Sequence, residues 1–178
     1  ATPVGKMSLR SDNGNGFTAA TGNANFGYIG GGGFGGDVST VDRIDYANDT
    51  ANTSVRGPLV LSRYGRAATG DQNFGYFSGG GGTDTSSIDR IDYANDTVTS
   101  TPKSFMVQNR QQHGATSSRE NAMPLRGPGI LDGVSTAFIS HEFSNPQGTD
   151  FGYFAGGAHP SVSDTKATVQ RVDFTNDT

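Results

Sequence analysis

The sequence has no cysteine and no tryptophan among its 178 residues, and only 17% of the residues are charged. The absence of cysteine excludes disulfides, thiolate nucleophiles and cysteine-based zinc sites, and it leaves the redox compartment open. The apolar runs are only a few residues long, whereas a membrane-spanning helix needs roughly 20 apolar residues. We therefore expect no membrane span.

Positive charge is also scarce. Lysine and arginine number 13 against 17 aspartates and glutamates, which gives a net charge of −4 and a pI near 5.2. An acidic chain without basic runs repels a phosphate backbone, so we predict no nucleic-acid partner. Glycine is abundant, with 27 residues, and 11 phenylalanines and 6 tyrosines favour a packed core.

An internal repeat organises the chain. Phe-Gly-Tyr occurs three times, with its phenylalanine at Phe26, Phe74 and Phe151. A segment of the type Asp-Arg-Ile-Asp-Tyr-Ala-Asn-Asp-Thr follows each time, more loosely in the third repeat. The first spacing is 48 residues, within the range of about 40 to 50 typical of propeller blades. The second is 77 residues because an insertion over 119–148 lengthens the third repeat.

Each repeat is predicted to contain four strands and no helix. The aromatic Phe-Gly-Tyr segment and the period-two alternation of Asp-Arg-Ile-Asp-Tyr predict two strands. Asn-Asp-Thr predicts a hairpin corner, followed by a strand over 52–56 or 99–103. A strand of small residues, over 66–69 or 113–116, suits the crowded axis of a propeller. No segment combines a helical apolar period with caps, and glycine at this density disfavours helix.

Three features of the repeat resemble the kelch motif: a glycine pair after an aromatic-led strand, a later tyrosine or phenylalanine, and an arginine before the next inner strand. They lie at Gly30-Gly31, Gly79-Gly80 and Gly156-Gly157, at Tyr46, Tyr93 and Phe174, and at Arg63 and Arg110. The tryptophan of kelch repeats is missing. The wider pattern is similar to repeats in structural and tail-associated proteins of marine bacteriophages, particularly those that infect cyanobacteria. The resemblance implies an all-β, kelch-like β-propeller with blades of four antiparallel strands.

We predict that 1–178 forms one propeller segment with blades over about 9–58, 59–105 and 106–178. Residues 1–8 resemble the segment after the Asn-Asp-Thr corner, so we expect an outer strand there that completes the third blade or a blade of a neighbouring unit. Known propellers have about four to eight blades. We therefore expect a larger or oligomeric ring, completed by other copies or by further blades of the same protein.

Acidic residues are the first candidates for site chemistry. They recur at Asp42, Asp45, Asp49, Asp89, Asp92 and Asp96. Their spacing fits no calcium loop, so we interpret them as structural residues that pair with Arg43, Arg90 and Arg171. The Asn-Asp-Thr corners are also glycosylation sequons, and a turn explains them equally well.

Other motifs favour structure over catalysis as well. The glycine runs 30–33 and 79–82 lack the helix and the Lys-Ser/Thr pair of a phosphate loop, so we interpret them as turns or close backbone approaches. His113, His141 and His159 fall in different regions of the repeat, which disfavours a shared metal site. No Gly-x-Ser-x-Gly elbow is present. We predict no enzyme activity, no catalytic residues, no metal and no cofactor.

The insertion over 119–148 is the predicted interaction site, because excursions from a regular repeat often bind. Its large apolar residues are Leu125, Ile130, Leu131, Phe138, Ile139 and Phe143. A role as a plug over the end of the propeller is equally open. The resemblance to phage repeats implies a structural or binding protein of the virion or extracellular space, as a phage appendage or tail-associated adhesin that contacts a host glycan or protein or neighbouring virion proteins. The alternative is a subunit of a cellular filament or surface layer assembled by strand complementation.

Overall fold

The computed structural model of the chain describes residue 7 and residues 16–33, 36–82, 86–117, 151–157 and 168–174. These residues form eleven β-strands arranged in three antiparallel sheets, which confirms the all-β expectation. Within the described ranges, no helix has the length and apolar character needed to cross a membrane.

Each sheet is a meander in which consecutive strands pair. The first sheet contains β1 (Ala19–Gly22), β2 (Phe26–Gly30), β3 (Val41–Asp45) and β4 (Ser54–Arg56). The second contains β5 (Ala67–Gly70), β6 (Phe74–Ser78), β7 (Ser87–Asp92) and β8 (Thr101–Phe105). The third contains β9 (Gly114–Ser117), β10 (Phe151–Ala155) and β11 (Val169–Asp173). The sheets therefore follow the sequence repeat.

The register is the same in all three sheets. The tyrosine of Phe-Gly-Tyr lies opposite a threonine on one neighbouring strand and opposite an arginine on the other. These trios are Thr21, Tyr28 and Arg43; Thr69, Tyr76 and Arg90; and Thr116, Tyr153 and Arg171. Corresponding side chains therefore point to the same side of each sheet, since side chains alternate along a strand.

The corner after the third strand joins two antiparallel strands, as predicted, but it contains helix that was not predicted. Tyr46–Asn48 and Tyr93–Asn95 form short 3-10 helices, so a sequence expected to lack helix contains two single turns of it. The carboxylates of Asp45 and Asp92 accept hydrogen bonds from the backbone N–H groups of Ala47 and Ala94 at 2.9 Å. This side-chain cap ends the strand one residue before the tyrosine and begins the turn.

The strand after the corner is also displaced in the second repeat, from the predicted 99–103 to Thr101–Phe105. Residues of the corner bond to the first repeat instead, since Gly57 N–H donates to Asp96 C=O at 2.8 Å and Ser100 N–H donates to Pro58 C=O at 2.9 Å. Pro102 lies within β8, on the edge of the sheet, where a missing N–H is tolerated. The small-residue strands β5 and β9 each begin one residue later than predicted.

The third sheet has three strands in the described part of the chain. The predicted completing strand over 1–8 falls outside the described residues except for Met7, which is in no strand. The insertion over 119–148 also falls outside them.

The sheets pack in chain order, with β5 beside both β1 and β9. Two apolar clusters fill the spaces between them. The first contains Ala19, Tyr28, Val41, Leu59, Phe77, Ile91 and Tyr93. The second contains Ala67, Tyr76, Ile88, Met106, Phe154, Val172 and Phe174. Each member of the second cluster is the repeat counterpart of a member of the first, so the two spaces are filled by one pattern used twice.

Candidate functional site

The predicted interaction residues of the insertion, Leu125 to Phe143, lie outside the described residues, as do His141 and His159. Among the described residues, the most distinctive side-chain contacts lie where the sheets meet. We call the contact between the first and second sheets the first junction, and the contact between the second and third sheets the second junction.

An aromatic stack crosses each junction. Tyr28 of the first sheet stacks on Tyr93 of the second, with ring centroids 4.6 Å apart and planes 12° apart. Tyr76 of the second sheet stacks on Phe174 of the third with the same separation and angle. All four rings are buried. A stacked pair contributes about 0.5–1.5 kcal/mol beyond the apolar area it buries, so these pairs orient one sheet on the next.

The glycine of Phe-Gly-Tyr makes room for this stack. A Cβ atom at Gly75 would lie 2.7 Å from Tyr93 Oη and 2.7 Å from Thr21 Cγ2 of the first sheet. A Cβ atom at Gly152 would lie 2.6 Å from Phe174 Cζ and 2.6 Å from Thr69 Cγ2. Carbon atoms do not approach so closely. Gly75 and Gly152 are therefore required as glycine, because a ring of the same repeat and a threonine methyl of the preceding sheet close over each of them.

A buried carboxylate adds a polar centre to the first junction. Asp96 Oδ2 accepts hydrogen bonds from Tyr28 Oη at 2.9 Å and from an Arg43 guanidinium nitrogen at 2.7 Å, and Arg56 Nε lies 3.2 Å away. Burial and the neighbouring Asp96 raise the pKa of Tyr28 above its ordinary value, so its hydroxyl remains a donor. The predicted pairing of Arg43 with a carboxylate is confirmed, and the pair bridges two sheets.

Two buried arginines link consecutive glycine pairs. The carbonyl of Arg63 accepts from Gly32 N–H of the first sheet at 2.9 Å, and its guanidinium donates to Ser87 Oγ at 3.1 Å and Gly79 C=O at 3.4 Å. Arg110 repeats this one sheet later. Its carbonyl accepts from Gly80 N–H at 3.0 Å, and its guanidinium donates to Gly156 C=O at 3.1 Å and Thr168 C=O at 3.0 Å. The arginines of the motif are therefore structural donors.

The glycine runs contain turns at a close backbone approach, as predicted, but the first turn is at Gly31-Gly32, one residue later than the predicted pair, because Gly30 belongs to β2. Each pair adopts positive φ, with values of 65° and 103° at Gly31 and Gly32 and of 60° and 112° at Gly79 and Gly80. A Cβ at Gly79 would lie 2.4 Å from the Arg110 carbonyl oxygen. Side chains are excluded here by both backbone conformation and space.

The acidic residues of the third strand and its corner have structural positions. Asp89 pairs with Arg66 at 3.0 Å, and both side chains are buried. Burial lowers the pKa of Arg66, and the charge of Asp89 opposes that shift. Asp42 is also buried, while Asp45 and Asp92 cap the 3-10 helices. Among the described residues, no three His, Asp or Glu side chains are grouped so that they could hold a metal ion.

His113 is a buried polar residue at the second junction. It precedes β9, and its Nε2 lies 2.8 Å from Ser78 Oγ of the second sheet. Burial, with a smaller contribution from the charge of Arg110, lowers the pKa of His113 to about 4. The ring is therefore neutral at pH 7 and acts as a packing element.

An arginine–phenylalanine contact that was not predicted from the sequence recurs in all three sheets. The guanidinium carbons of Arg43, Arg90 and Arg171 lie 4.3, 4.2 and 4.1 Å from the ring centroids of Phe26, Phe74 and Phe151. Each arginine lies opposite the tyrosine two residues after its phenylalanine, so the pair is a diagonal cross-strand contact. The shared spacing of phenylalanine and arginine was a signal, but the strand register was needed to interpret it.

Comparison with known proteins adds no relative, because neither a protein-family model nor a curated protein matches this sequence. The aromatic stacks, the glycines beneath them and the Asp96–Arg43 pair hold one sheet against the next. The Asp89–Arg66 pair and the arginine–phenylalanine contacts lie within a single repeat.

Proposed function

We propose that the chain is a segment of a kelch-like β-propeller that acts in binding and assembly and not as an enzyme. One observation carries the proposal. Two successive junctions use counterpart residues with the same stack, 4.6 Å and 12° in both. A structure that repeats one junction around an axis is the principle of a propeller. The neighbouring positions of β1, β5 and β9, which are rich in small residues, also support this arrangement.

The polar groups of the junctions support a scaffold role. Asp89 and Asp96 are neutralised by arginines, and Arg63 and Arg110 have backbone carbonyls as acceptors. A catalytic site needs groups that face a cleft and remain available for substrate. Asp96 instead faces the neighbouring sheet, and the other groups are bonded within their own repeat, which favours a role in which the surface of the assembly does the binding.

For the biological setting, the support is the resemblance of the repeat to structural and tail-associated proteins of marine phages. We propose a virion appendage or tail-associated adhesin that contacts a host glycan, a host protein or neighbouring virion proteins. The competing role is a subunit of a cellular extracellular filament or surface layer.

Immunogold electron microscopy distinguishes these roles. Antibodies raised against the purified chain are applied to lysates of infected cyanobacterial cultures and to uninfected cells. Label on tails or appendages of particles is expected. Label on filaments or on the surface of uninfected cells would overturn the virion role.

Incubation of the purified chain with capsular glycans is expected to leave glycan length unchanged, and depolymerisation would contradict the non-enzymatic assignment.

A further inference from the structure

The first and third sheets each have an outer face that carries junction residues but packs against no other described sheet. In the second sheet, Tyr93 packs against the first sheet and is 8% exposed. Its counterpart in the first sheet, Tyr46, is 53% exposed. Ile44, the counterpart of the buried Ile91, is half-buried beside it. We call Ile44, Tyr46 and the neighbouring Asp49 the front face.

The opposite face lies on the third sheet. Val41 and Ile88 are buried in the first and second junctions, whereas their counterpart Val169 is 64% exposed. Tyr153 is the counterpart of the fully buried Tyr28 and Tyr76, and it is half-buried. We call Tyr153, Val169 and the exposed Arg171 the back face.

The two faces are complementary by the rules of the internal junctions. Tyr28 stacks on Tyr93 in the first junction. Tyr153 is the counterpart of Tyr28 and Tyr46 is the counterpart of Tyr93, so Tyr153 of one copy has the ring that would stack on Tyr46 of another. Gly27 already accommodates the Tyr46 ring, because a Cβ there would lie 2.6 Å from Tyr46 Oη. The ring is therefore held in the same place on its sheet as the ring of Tyr93 over Gly75.

Charge complementarity points the same way. In the first junction Asp96 pairs with Arg43. The counterpart of Asp96 in the first repeat is Asp49, and the counterpart of Arg43 in the third repeat is Arg171, and both are exposed. The front face thus carries the carboxylate of Asp49 and the back face carries the guanidinium of Arg171, which correspond to the two partners of the Asp96–Arg43 pair.

Backbone hydrogen bonds between corresponding residues of consecutive repeats also point to a further sheet after the third. Gly65 N–H donates to Phe17 C=O at 3.0 Å, and Gln112 N–H donates to Gly65 C=O at 2.7 Å. These three counterparts share positive φ, at 57°, 64° and 53°. If the series continued, the Phe17 N–H of a second copy would donate to the Gln112 C=O.

We propose that the back face binds the front face of a second copy of this chain, head to tail, with Tyr153 stacked on the second copy's Tyr46 and Arg171 paired with its Asp49. The proposal deepens the proposed assembly function and rests on it. Within the described residues, the first and third sheets share no close set of contacts, so they do not cover each other's faces. Two copies would supply six sheets, within the range of about four to eight blades of closed propellers, and the contact is heterologous.

The test is a charge exchange read by sedimentation velocity over a range of concentrations. The wild-type chain is expected to associate to two copies or to longer chains, either of which supports the docking. D49R and R171D each place like charges together and should weaken association at least tenfold. The double variant D49R/R171D should restore it to near the wild-type value. D37R, the same charge change at an exposed aspartate outside the front face, serves as the matched control and should leave association unchanged.

The outcomes separate this inference from the proposed function. A wild-type chain that remains monomeric at every concentration overturns the docking of a second copy. Association that D49R and R171D leave unchanged also overturns it, since another surface would then be responsible. Thermal melts of each variant verify folding, and Y46A, which removes the stacking ring, supplies a second test by the same readout. Immunogold label on virions is independent of these results, so the proposed function can stand when this inference fails.

Discussion

The two junctions share their aromatic geometry but differ in the polar groups around it. In the first junction Thr21 Oγ1 and Tyr93 Oη lie 3.1 Å apart in a hydrogen bond. In the second, Phe174 replaces the tyrosine, and Thr69 Oγ1, the counterpart of Thr21 Oγ1, is buried with no hydrogen-bond partner in the described structure. The stack is nevertheless the same in both. The ring and the glycine beneath it therefore set the packing, and the hydroxyl adds stability without changing the geometry.

We infer a steric reason for this difference from the neighbouring strand. A Cβ at Gly70 would lie 3.1 Å from Tyr93 Oη and 2.8 Å from Thr21 Oγ1. The third repeat has Ser117 at the position of Gly70. A side chain there crowds the space of the hydroxyl, and the repeat with the serine is the one with phenylalanine.

The largest effect on stability is expected from adding a side chain at the glycine of Phe-Gly-Tyr. Gly75→Ala places a Cβ against Tyr93 and against Thr21 of the first sheet, so we expect a loss of about 3 kcal/mol in the free energy of unfolding from overpacking. Gly27→Ala is the matched control. The three atoms nearest its Cβ would all belong to the Tyr46 ring, which is 53% exposed and has room to move into solvent, so we expect less than about 1 kcal/mol. Urea denaturation of both variants measures the difference, and equal losses would contradict the assignment of Gly75 to the junction.

The next effect concerns the polar centre of the first junction. Asp96→Asn removes the charge that faces Arg43 and Arg56, and we expect a loss of about 2 kcal/mol because two partly buried guanidinium groups lose their counterion. The same substitution at the exposed counterpart, Asp49→Asn, should change the stability of the monomer by less than about 0.5 kcal/mol. Chemical denaturation at low protein concentration compares the two. A similar cost at both positions would mean that Asp96 does not act through the junction.

Acid should weaken the second junction selectively. Arg66 occupies the position of His113 in the second repeat and keeps its charge, whereas the pKa of His113 is lowered to about 4 from an ordinary value of 6.5. Between these values the unfolded chain binds more protons than the folded chain, so stability is full above pH 6.5 and falls as the pH drops toward 4. The contribution of His113 lost by pH 5.5 is about 1.4 kcal/mol.

His113→Gln provides the control, because it retains His141 and His159 and removes only this buried imidazole. Unfolding free energies measured between pH 7 and 5.5 should slope less steeply in the variant than in the wild type. Identical slopes would show that His113 is not buried as a neutral ring.

The sequence was sufficient to predict the repeat, most of the described strands and the close backbone approach at the glycine runs, because these depend on local backbone requirements. Spacing alone located Phe26 and Phe74 on equivalent strands, and the glycine runs indicated close backbone approach. The sequence did not reveal which sheet each face meets. Alternation places Tyr28 on one side of β2, but its contact with Tyr93 depends on the rotation between two sheets, which no local pattern encodes.

The corner illustrates the same limit. Asn-Asp-Thr was interpreted as a hairpin turn, whereas Asp45 and Asp92 cap a 3-10 helix and Asp96 faces the preceding sheet. The pairing of Arg43 with an aspartate was predicted from charge, and its partner came from another repeat because the junction, not the strand, brings the two together. Site residues of the insertion lie outside the described residues, so Leu125 and its neighbours remain predictions.

The smallest effect isolates the hydroxyl that distinguishes the junctions. Tyr93→Phe converts the first junction to the form of the second, retaining the stack on Tyr28 and removing the bond to Thr21. Burial raises the pKa of Tyr93, so the wild-type hydroxyl is protonated and the loss is that of a neutral hydrogen bond, about 1 kcal/mol. Tyr46→Phe is the matched control at an exposed ring and should cost less than half as much in the monomer. Differential scanning calorimetry compares the two variants. A loss at Tyr93 as large as that of Gly75→Ala would mean that the hydroxyl sets the packing after all, and no loss would mean that the hydrogen bond to Thr21 does not contribute to stability.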